Sequence, residues 1–341
     1  MTTNETVAGA MRDPLVEARG LTKSFGEVRA VVDVSFTVGP GQIVGVLGPN
    51  GAGKTTTITM MTTLSTIDRG SALVGGYDVT TQPDVVRQLI GVAGQAAAVD
   101  EKLTTRQNLE LFGRLYKLPR ADRRLRTETL IRQFDMAEFA DRPAETYSGG
   151  QRRRLDVVAA LVADPPALFL DEPTAGLDPR SRSELWDAIR ALADRGTAIV
   201  LTTQYLEEAD QLADHILLID HGRIVAEGTP AELKKDLERD VLEIRLPDTA
   251  DVDRTVEAIG HEGEMTVDRR DRTLSIPVGD DPAKSLEILS RVRDKGIPVS
   301  DFQLRRPTLD DVFLALTGAR EPAPTAGASV PDAHDEGADH D

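Results

Sequence analysis

The sequence contains no cysteine, which excludes a disulfide framework and any zinc site built on thiolates; a reducing compartment fits that composition. It also lacks an apolar run near the roughly 18 residues that cross a bilayer, and residues 1–14 show no apolar h-region of a signal peptide. Membrane contact is therefore expected only through a partner. Basic charge is in deficit, with Lys and Arg numbering 40 against 57 Asp and Glu for a formal net charge of −17. Nucleic acid is a poor match to that balance, because its phosphates need a dense basic face.

What is present begins with length. The 341 residues exceed what one hydrophobic core usually serves, domains being most often about 100–150 residues, so two domains are expected. Within the first lies Gly48-Pro49-Asn50-Gly51-Ala52-Gly53-Lys54-Thr55-Thr56, preceded by the apolar run 43–47 and followed by a helix-compatible segment. Glycines let backbone N–H groups turn inward around phosphate oxygens, and the helix start adds unsatisfied N–H groups and a positive dipole end. Lys54 then reaches the β/γ-phosphates and Thr55 a Mg²⁺ ion. This strand, loop and helix predict nucleotide binding.

Upstream, residues 15–18 read as a short strand, and Phe25 falls on a glycine-flanked loop. Its ring either stacks on adenine or fills the core; position alone leaves both open. Val32, Val34, Phe36 and Val38 alternate with polar residues, the period of a half-buried strand. Residues 83–90 read as a helix, followed by a short strand ending at Gln95. Between 96 and 164 strand signals vanish, and Leu109, Phe112 and Leu115, then Leu125, Ile131 and Phe134, mark an inserted helical subdomain. It ends in Tyr147-Ser148-Gly149-Gly150-Gln151, where Ser148 can be an N-cap or part of a second anion-ready helix start. The run Arg152-Arg153-Arg154 reads first as a charged helix face, and its closeness to Tyr147–Gln151 leaves a secondary role open.

The apolar strand 167–170 carries Asp171 and Glu172 at its carboxyl end, where open α/β sheets bind ligands. Neighbouring strand side chains diverge, so one acid can hold Mg²⁺ while the other faces an attacking water. Asp178 follows in a turn into a helix, Gln204 ends a strand at 198–202, and Thr229-Pro230-Ala231-Glu232 spells a capping box with proline at the first helical position.

In order and spacing these pieces resemble the nucleotide-binding subunit of an ATP-binding cassette (ABC) transporter over residues 15–228. The resemblance implies an α/β P-loop NTPase fold at 15–230, with the helical subdomain at about 96–164. It makes Gly48 to Thr55 the Walker A loop, Gln95 the Q-loop glutamine and a Mg²⁺ ligand, Asp171 the end of Walker B, Glu172 the catalytic base and Asp178 the D-loop acid. Two such subunits sandwich two ATP molecules, so Ser148, Gly149, Gly150 and Gln151 would contact the γ-phosphate held by the other subunit's Lys54. Two departures stand out: Tyr147 opens the signature where leucine is usual, and Gln204 occupies the place of the switch histidine. The segments 94–104, 202–210 and Thr308-Leu309-Asp310-Asp311-Val312-Phe313 resemble the daunorubicin/doxorubicin-resistance type of drug-export ATPase, in which Gln204 would be ordinary. That type works with a separate membrane permease, implying a peripheral position on the cytoplasmic face of the membrane. A soluble ABC ATPase acting on ribosomes or DNA is the alternative, and a small-molecule P-loop kinase leaves Ser148 to Gln151 unexplained.

Beyond a linker helix at 231–240, the βαββαβ order over 241–318 suggests a small ferredoxin-like α+β domain. Its last helix starts at Thr308 and places Leu309, Val312, Phe313 and Leu316 on one apolar face, expected to pack on that domain's own sheet, with a contact to a partner ATPase or membrane subunit as the alternative. Residues 1–14 and the acidic tail 319–341 are expected to be disordered.

Overall fold

The computed structural model describes residues 13–94, 98–235, 240–260, 265–279, 282–306, 308, 309, 311 and 312. Gln95, Phe313 and Leu316 lie outside this set, as do residues 1–12, 236–239 and 319–341. In chain order the first elements are β1 (Val16–Phe25), β2 (Val28–Val38), β3 (Ile43–Leu47), α1 (Lys54–Met61), β4 (Arg69–Val74), β5 (Tyr77–Asp78), α2 (Pro83–Leu89) and β6 (Ile90–Ala93). The helices α3 (Thr105–Leu115), α4 (Arg120–Gln133) and α5 (Gly149–Ala160) follow. Next come β7 (Ala167–Asp171), α6 (Pro179–Ala193), β8 (Ala198–Thr203), α7 (Leu206–Leu212), β9 (His215–Asp220), β10 (Arg223–Gly228) and α8 (Pro230–Lys235).

The central sheet runs β10-β9-β3-β8-β7-β6. All its pairings are parallel except β10 with β9, and β3, β7 and β8 are buried along their whole length. Continuous apolar runs, rather than alternation, are what a parallel sheet covered on both faces requires. The carboxyl ends of β3, β7 and β8 share one edge, where the phosphate loop, Glu172 and Gln204 leave the sheet.

A second, antiparallel sheet runs β2-β1-β4-β5. β1 is longer than the expected 15–18 strand, because the chain bends at Gly20 (φ 60°) and continues pairing to Phe25. On β2, Val34, Phe36 and Val38 are buried as the alternation demands, but Asp33 has φ 58° and the register shifts there. The next buried residue is accordingly Val31, not Val32. The pair β4–β5 was not expected from the sequence. Its signal was the two-residue loop Gly75-Gly76, with φ 58° and 81°, the backbone that the tight hairpin turn favoured by strand twist requires.

Among the described residues of 98–164 no strand forms, and α3, α4 and α5 pack together around Leu109, Leu130, Ile131, Phe134 and Leu155. Leu115 and Leu125, expected on the inner faces, are instead 66% and 67% exposed. The Thr229–Glu232 capping box opens α8 as expected, with Thr229 N donating to Glu232 Oε2 at 2.8 Å and Glu232 N to Thr229 Oγ1 at 3.2 Å.

The last elements are β11 (Val241–Arg245), α9 (Ala250–Ile259), β12 (Thr266–Asp268), β13 (Thr273–Pro277), α10 (Pro282–Asp294) and β14 (Asp301–Arg305). Their sheet runs β12-β13-β11-β14, antiparallel throughout, with a separate core of residues such as Leu242, Ile244, Val252, Ile276 and Ile288. Leu309 and Val312 do not join that core. They pack against Leu47, Leu206, Ala209 and Leu218 of the nucleotide-binding half, which corrects the expectation that this helix covers its own sheet. The apolar face of that sheet is filled by α9 and α10, whereas Leu309 and Val312 complete the burial of Leu47, Ile216 and Leu218 beside α7.

Candidate nucleotide and catalytic site

The phosphate loop is shaped by steric necessity. A Cβ on Gly48 would sit 2.1 Å from Ile219 O, and one on Gly53 would sit 2.3 Å from Ala30 O at φ 109°. Gly51 has φ 83°, open to glycine and strained for most other residues. The β9–β10 turn braces the loop, Gly222 N donating to Ala52 O at 2.9 Å. α1 begins at Lys54 with no acidic residue in its first turn, leaving its N-terminal N–H groups free to meet an anion.

Five side chains converge at this edge. Lys54 is buried and donates to Gly48 O (2.8 Å) and Pro49 O (3.2 Å), with its Nζ 3.5 Å from Glu172 Oε1. Burial pulls the Lys54 ammonium below its ordinary pKa, while Glu172 beside it opposes the shift. Thr55 Oγ1 donates to Asp171 Oδ1 at 3.1 Å, and the Thr202 hydroxyl bonds the same oxygen. A cleft of about 430 Å³ opens here, lined by Asn50, Gly51, Gly53, Lys54, Thr55 and Glu172 among others. A larger depression of about 1010 Å³ lies along α4, around Arg120, Arg124 and Leu125, and holds none of the residues that converge at the sheet edge.

Glu172 adopts φ 49°, a left-handed conformation uncommon outside glycine. Its N–H donates to Thr202 O and to Thr202 Oγ1, both at 3.1 Å. Thr202 was not singled out from the sequence, although a hydroxyl residue ending the apolar run of β8 at a ligand-binding sheet edge was a readable signal. Gln204 is half-buried just beyond, with no hydrogen bond among the described residues. Phe25 ends β1 on the hairpin whose Ala30 borders the cleft and is 55% exposed, so the core-filling alternative is excluded. Lys23 Nζ lies 5.4 Å from its ring centroid.

Ser148 caps α5 in a complete capping box with Gln151, Gln151 N donating to Ser148 Oγ at 3.2 Å and Ser148 N to Gln151 Oε1 at 3.1 Å. A Cβ on Gly150 would lie 2.7 Å from Ser181 Oγ, so a side chain there would push on the start of α6. Asp178 caps that helix, accepting from Ser181 N (3.1 Å) and Ser181 Oγ (2.6 Å). Among the described residues no hydrogen bond joins Ser148 to Gln151 with the phosphate loop of the same chain. Tyr147 is buried, its hydroxyl 2.7 Å from Phe139 O and 2.8 Å from Thr105 Oγ1, with its ring edge-on to Phe139 at 4.9 Å. The departure from leucine therefore fills the helical subdomain's core with a fully partnered phenol.

Over residues 31–175 the chain matches the family model described as ABC transporter. It is 48% identical over 307 residues, 89% of this chain and 95% of the relative, to the daunorubicin resistance ATP-binding protein DrrA2 of Streptomyces coeruleorubidus. The chain belongs to the ABC transporter ATP-binding proteins. This ATPase is also 46% identical over 312 residues, 89% of its own length and 94% of the relative's, to the doxorubicin resistance ATP-binding protein DrrA of Mycobacterium tuberculosis. Residues 228–317 match the C-terminal domain model of DrrA1-3-like ATP-binding proteins. A solved ATP binding subunit of an ABC transporter aligns with a TM-score of 0.60 and 28% identity, over 65% of this chain and 92% of that one. ABC ATP-binding subunits bind and hydrolyse ATP, work with membrane permeases and dimerise. No helix among the described residues of this ATPase is long and apolar enough to cross a membrane.

The sequence reading did not foresee where Arg153 points, nor single out Asp156. Arg153, expected on an exposed charged face with Arg152 and Arg154, turns inward. Arg152 pairs with Glu101 at 2.8 Å and Arg154 with Glu184, while the Arg153 side chain is only 11% exposed and reaches the end of β7. Asp156, which meets it, is fully buried. A run of three arginines on a helix spans about 200° of its circumference, so the three side chains point to different surroundings, and which of them turns inward is set by what packs against the helix.

Proposed function

We propose that this chain is the ATP-hydrolysing subunit of an exporter for drug-like, amphipathic compounds, acting through a separate integral membrane permease at the cytoplasmic face of the membrane. Its daunorubicin- and doxorubicin-resistance relatives support the cargo class. The observation that carries the catalytic part is the convergence of Lys54, Thr55, Asp171 and Glu172 at one sheet edge.

In this reading Lys54 and the N–H groups of residues 48–56 hold the β- and γ-phosphates, and Phe25 stacks on the adenine. Thr55 and Asp171 would hold Mg²⁺. They fit it: a hydroxyl and one buried carboxylate oxygen already meet at 3.1 Å, no cation pairs with Asp171 among the described residues, and Mg²⁺ takes only one or two protein oxygens beside phosphate and water. When bound, the ion neutralises charge developing on the phosphates. Gln95 would join it from outside the described residues. Phosphate would draw Lys54 away from Glu172, releasing the carboxylate to accept a proton from water. Gln204 orients groups at the γ-phosphate through its amide. A second copy of the chain supplies Ser148, Gly149, Gly150 and Gln151 across the nucleotide, with Asp178 holding the start of α6 against that signature.

The test is affinity purification of the tagged full chain from membranes. Recovery of a polytopic membrane protein in MgATP-sensitive association is the expected result. Recovery of ribosomes in its place overturns the transport reading.

A further inference from the structure

Arg153 spends all of its hydrogen-bonding capacity inside the protein. A guanidinium has five N–H donors, and each has a partner: Nε donates to Pro173 O (2.9 Å), one terminal nitrogen to Gly94 O (2.5 Å) and Asp156 Oδ2 (3.2 Å), the other to Asp171 O (2.8 Å) and Glu172 O (3.0 Å). Asp156 completes the arrangement, since its second oxygen accepts from Ala98 N at 2.7 Å. Their side chains are 11% and 1% exposed.

The placement matters more than the count. Arg153 stands on α5 two residues after the signature residues 148–151, which in the proposed function face the nucleotide of a second subunit. Its bonds to Asp171, Glu172 and Pro173 grip the main chain on either side of Glu172, whose left-handed φ of 49° needs holding from outside because the residue has no local preference for it. Together Arg153 and Asp156 also grasp Gly94 and Ala98, the residues flanking 95–97. One ion pair on one helix thus touches the signature helix, the catalytic carboxylate's backbone and both ends of the segment containing Gln95.

We propose that Arg153, held by Asp156, is a positioning residue that couples the signature helix to the orientation of Glu172. This rests on the assignment of Glu172 as the base. A plain buried ion pair would serve stability only, and replacing both partners by apolar residues would then be harmless. A planar fork spanning four carbonyls has no substitute in lysine, a point charge with three donors.

The experiment compares wild type, Arg153→Lys, Arg153→Met/Asp156→Leu and Glu172→Gln in the full chain, measuring MgATP affinity, thermal stability and single-turnover hydrolysis. The expected result is that Arg153→Lys binds MgATP within a few-fold of wild type but hydrolyses it about 10- to 100-fold more slowly, part of the 10² to 10⁴-fold that a placed base supplies. The double variant removes the charge pair but also takes their partner from the carbonyls of Gly94, Asp171, Glu172 and Pro173 and from Ala98 N. Its turnover is therefore expected to stay as low as that of Arg153→Lys whatever its stability. Turnover that returns with stability in the double variant, or an Arg153→Lys variant at wild-type rate, overturns the coupling role. If Arg153→Lys does not fold, the double variant decides alone. A Glu172→Gln variant that hydrolyses ATP at the wild-type rate would fail the underlying assignment instead, so the two failures are separable.

Discussion

Glu172 and Gln204 sit within one sheet edge but carry different burdens. Glu172 is braced through its backbone by Thr202 and Arg153 and faces Lys54, while the Gln204 side chain has no hydrogen bond among the described residues. Glu172→Gln is expected to lower kcat by about 10² to 10⁴-fold and to trap an ATP-bound dimer visible by size-exclusion chromatography. Gln204→Ala is expected to lose much less. Equal losses in a steady-state phosphate-release assay would refute this division of labour. Tyr147 makes a second residue-scale case. Its buried hydroxyl meets the Thr105 hydroxyl and N–H, so Tyr147→Phe should lose about 1–3 kcal/mol of stability by taking that partner from the buried Thr105, while Phe139 O keeps its bond from Arg142 N. Urea titration should show that loss while ATP turnover stays near wild type.

At the scale of elements, the phosphate loop was legible before any coordinates because glycine spacing, lysine and hydroxyl are chemically required together. The structure adds the reason for each glycine. Gly53→Ala combines a left-handed φ, costing about 1–3 kcal/mol or 5- to 150-fold in an equilibrium, with a Cβ 2.3 Å from Ala30 O. MgATP affinity should fall by at least that range, read with a fluorescent ATP analogue, while far-UV circular dichroism stays unchanged; retained affinity would mean the loop re-forms around a side chain. Other elements were misread for identifiable reasons. The register shift at Asp33 exchanged Val32 for Val31, which a strict two-residue period cannot express. Leu115 and Leu125 fit a helical period yet face solvent, because periodicity marks a stripe without saying whether anything covers it.

At the scale of the molecule, the C-terminal helix start is the feature that most changes the expected organisation. Leu309 and Val312 join the cluster of Leu47 and Leu206, so the strand that feeds the phosphate loop and the helix that follows Gln204 share a core with the chain's last described residues. Arg305 adds a polar tie to Glu243 (3.0 Å) and Asp311 (2.6 Å). Leu309→Ala is expected to cost about 2–5 kcal/mol, and calorimetry should find that loss in the transition of the nucleotide-binding half; an effect confined to residues 241–305 would contradict the packing. The net charge of −17 does not oppose a dimer, since distant charges are screened over about 8 Å at physiological salt. The sequence by itself determined the phosphate loop, the acidic pair closing β7, the Thr229–Glu232 capping box and the apolar strands, because each follows from local stereochemistry or from residues adjacent in the chain. Only the tertiary structure decided that Arg153 and Asp156 reach Glu172 and the residues flanking 95–97, that Thr202 braces the acidic pair, and that Leu309 leaves its own sheet. Those contacts join residues far apart in the chain, and which apolar face or buried carbonyl is left needing a partner is fixed only once the sheets have assembled.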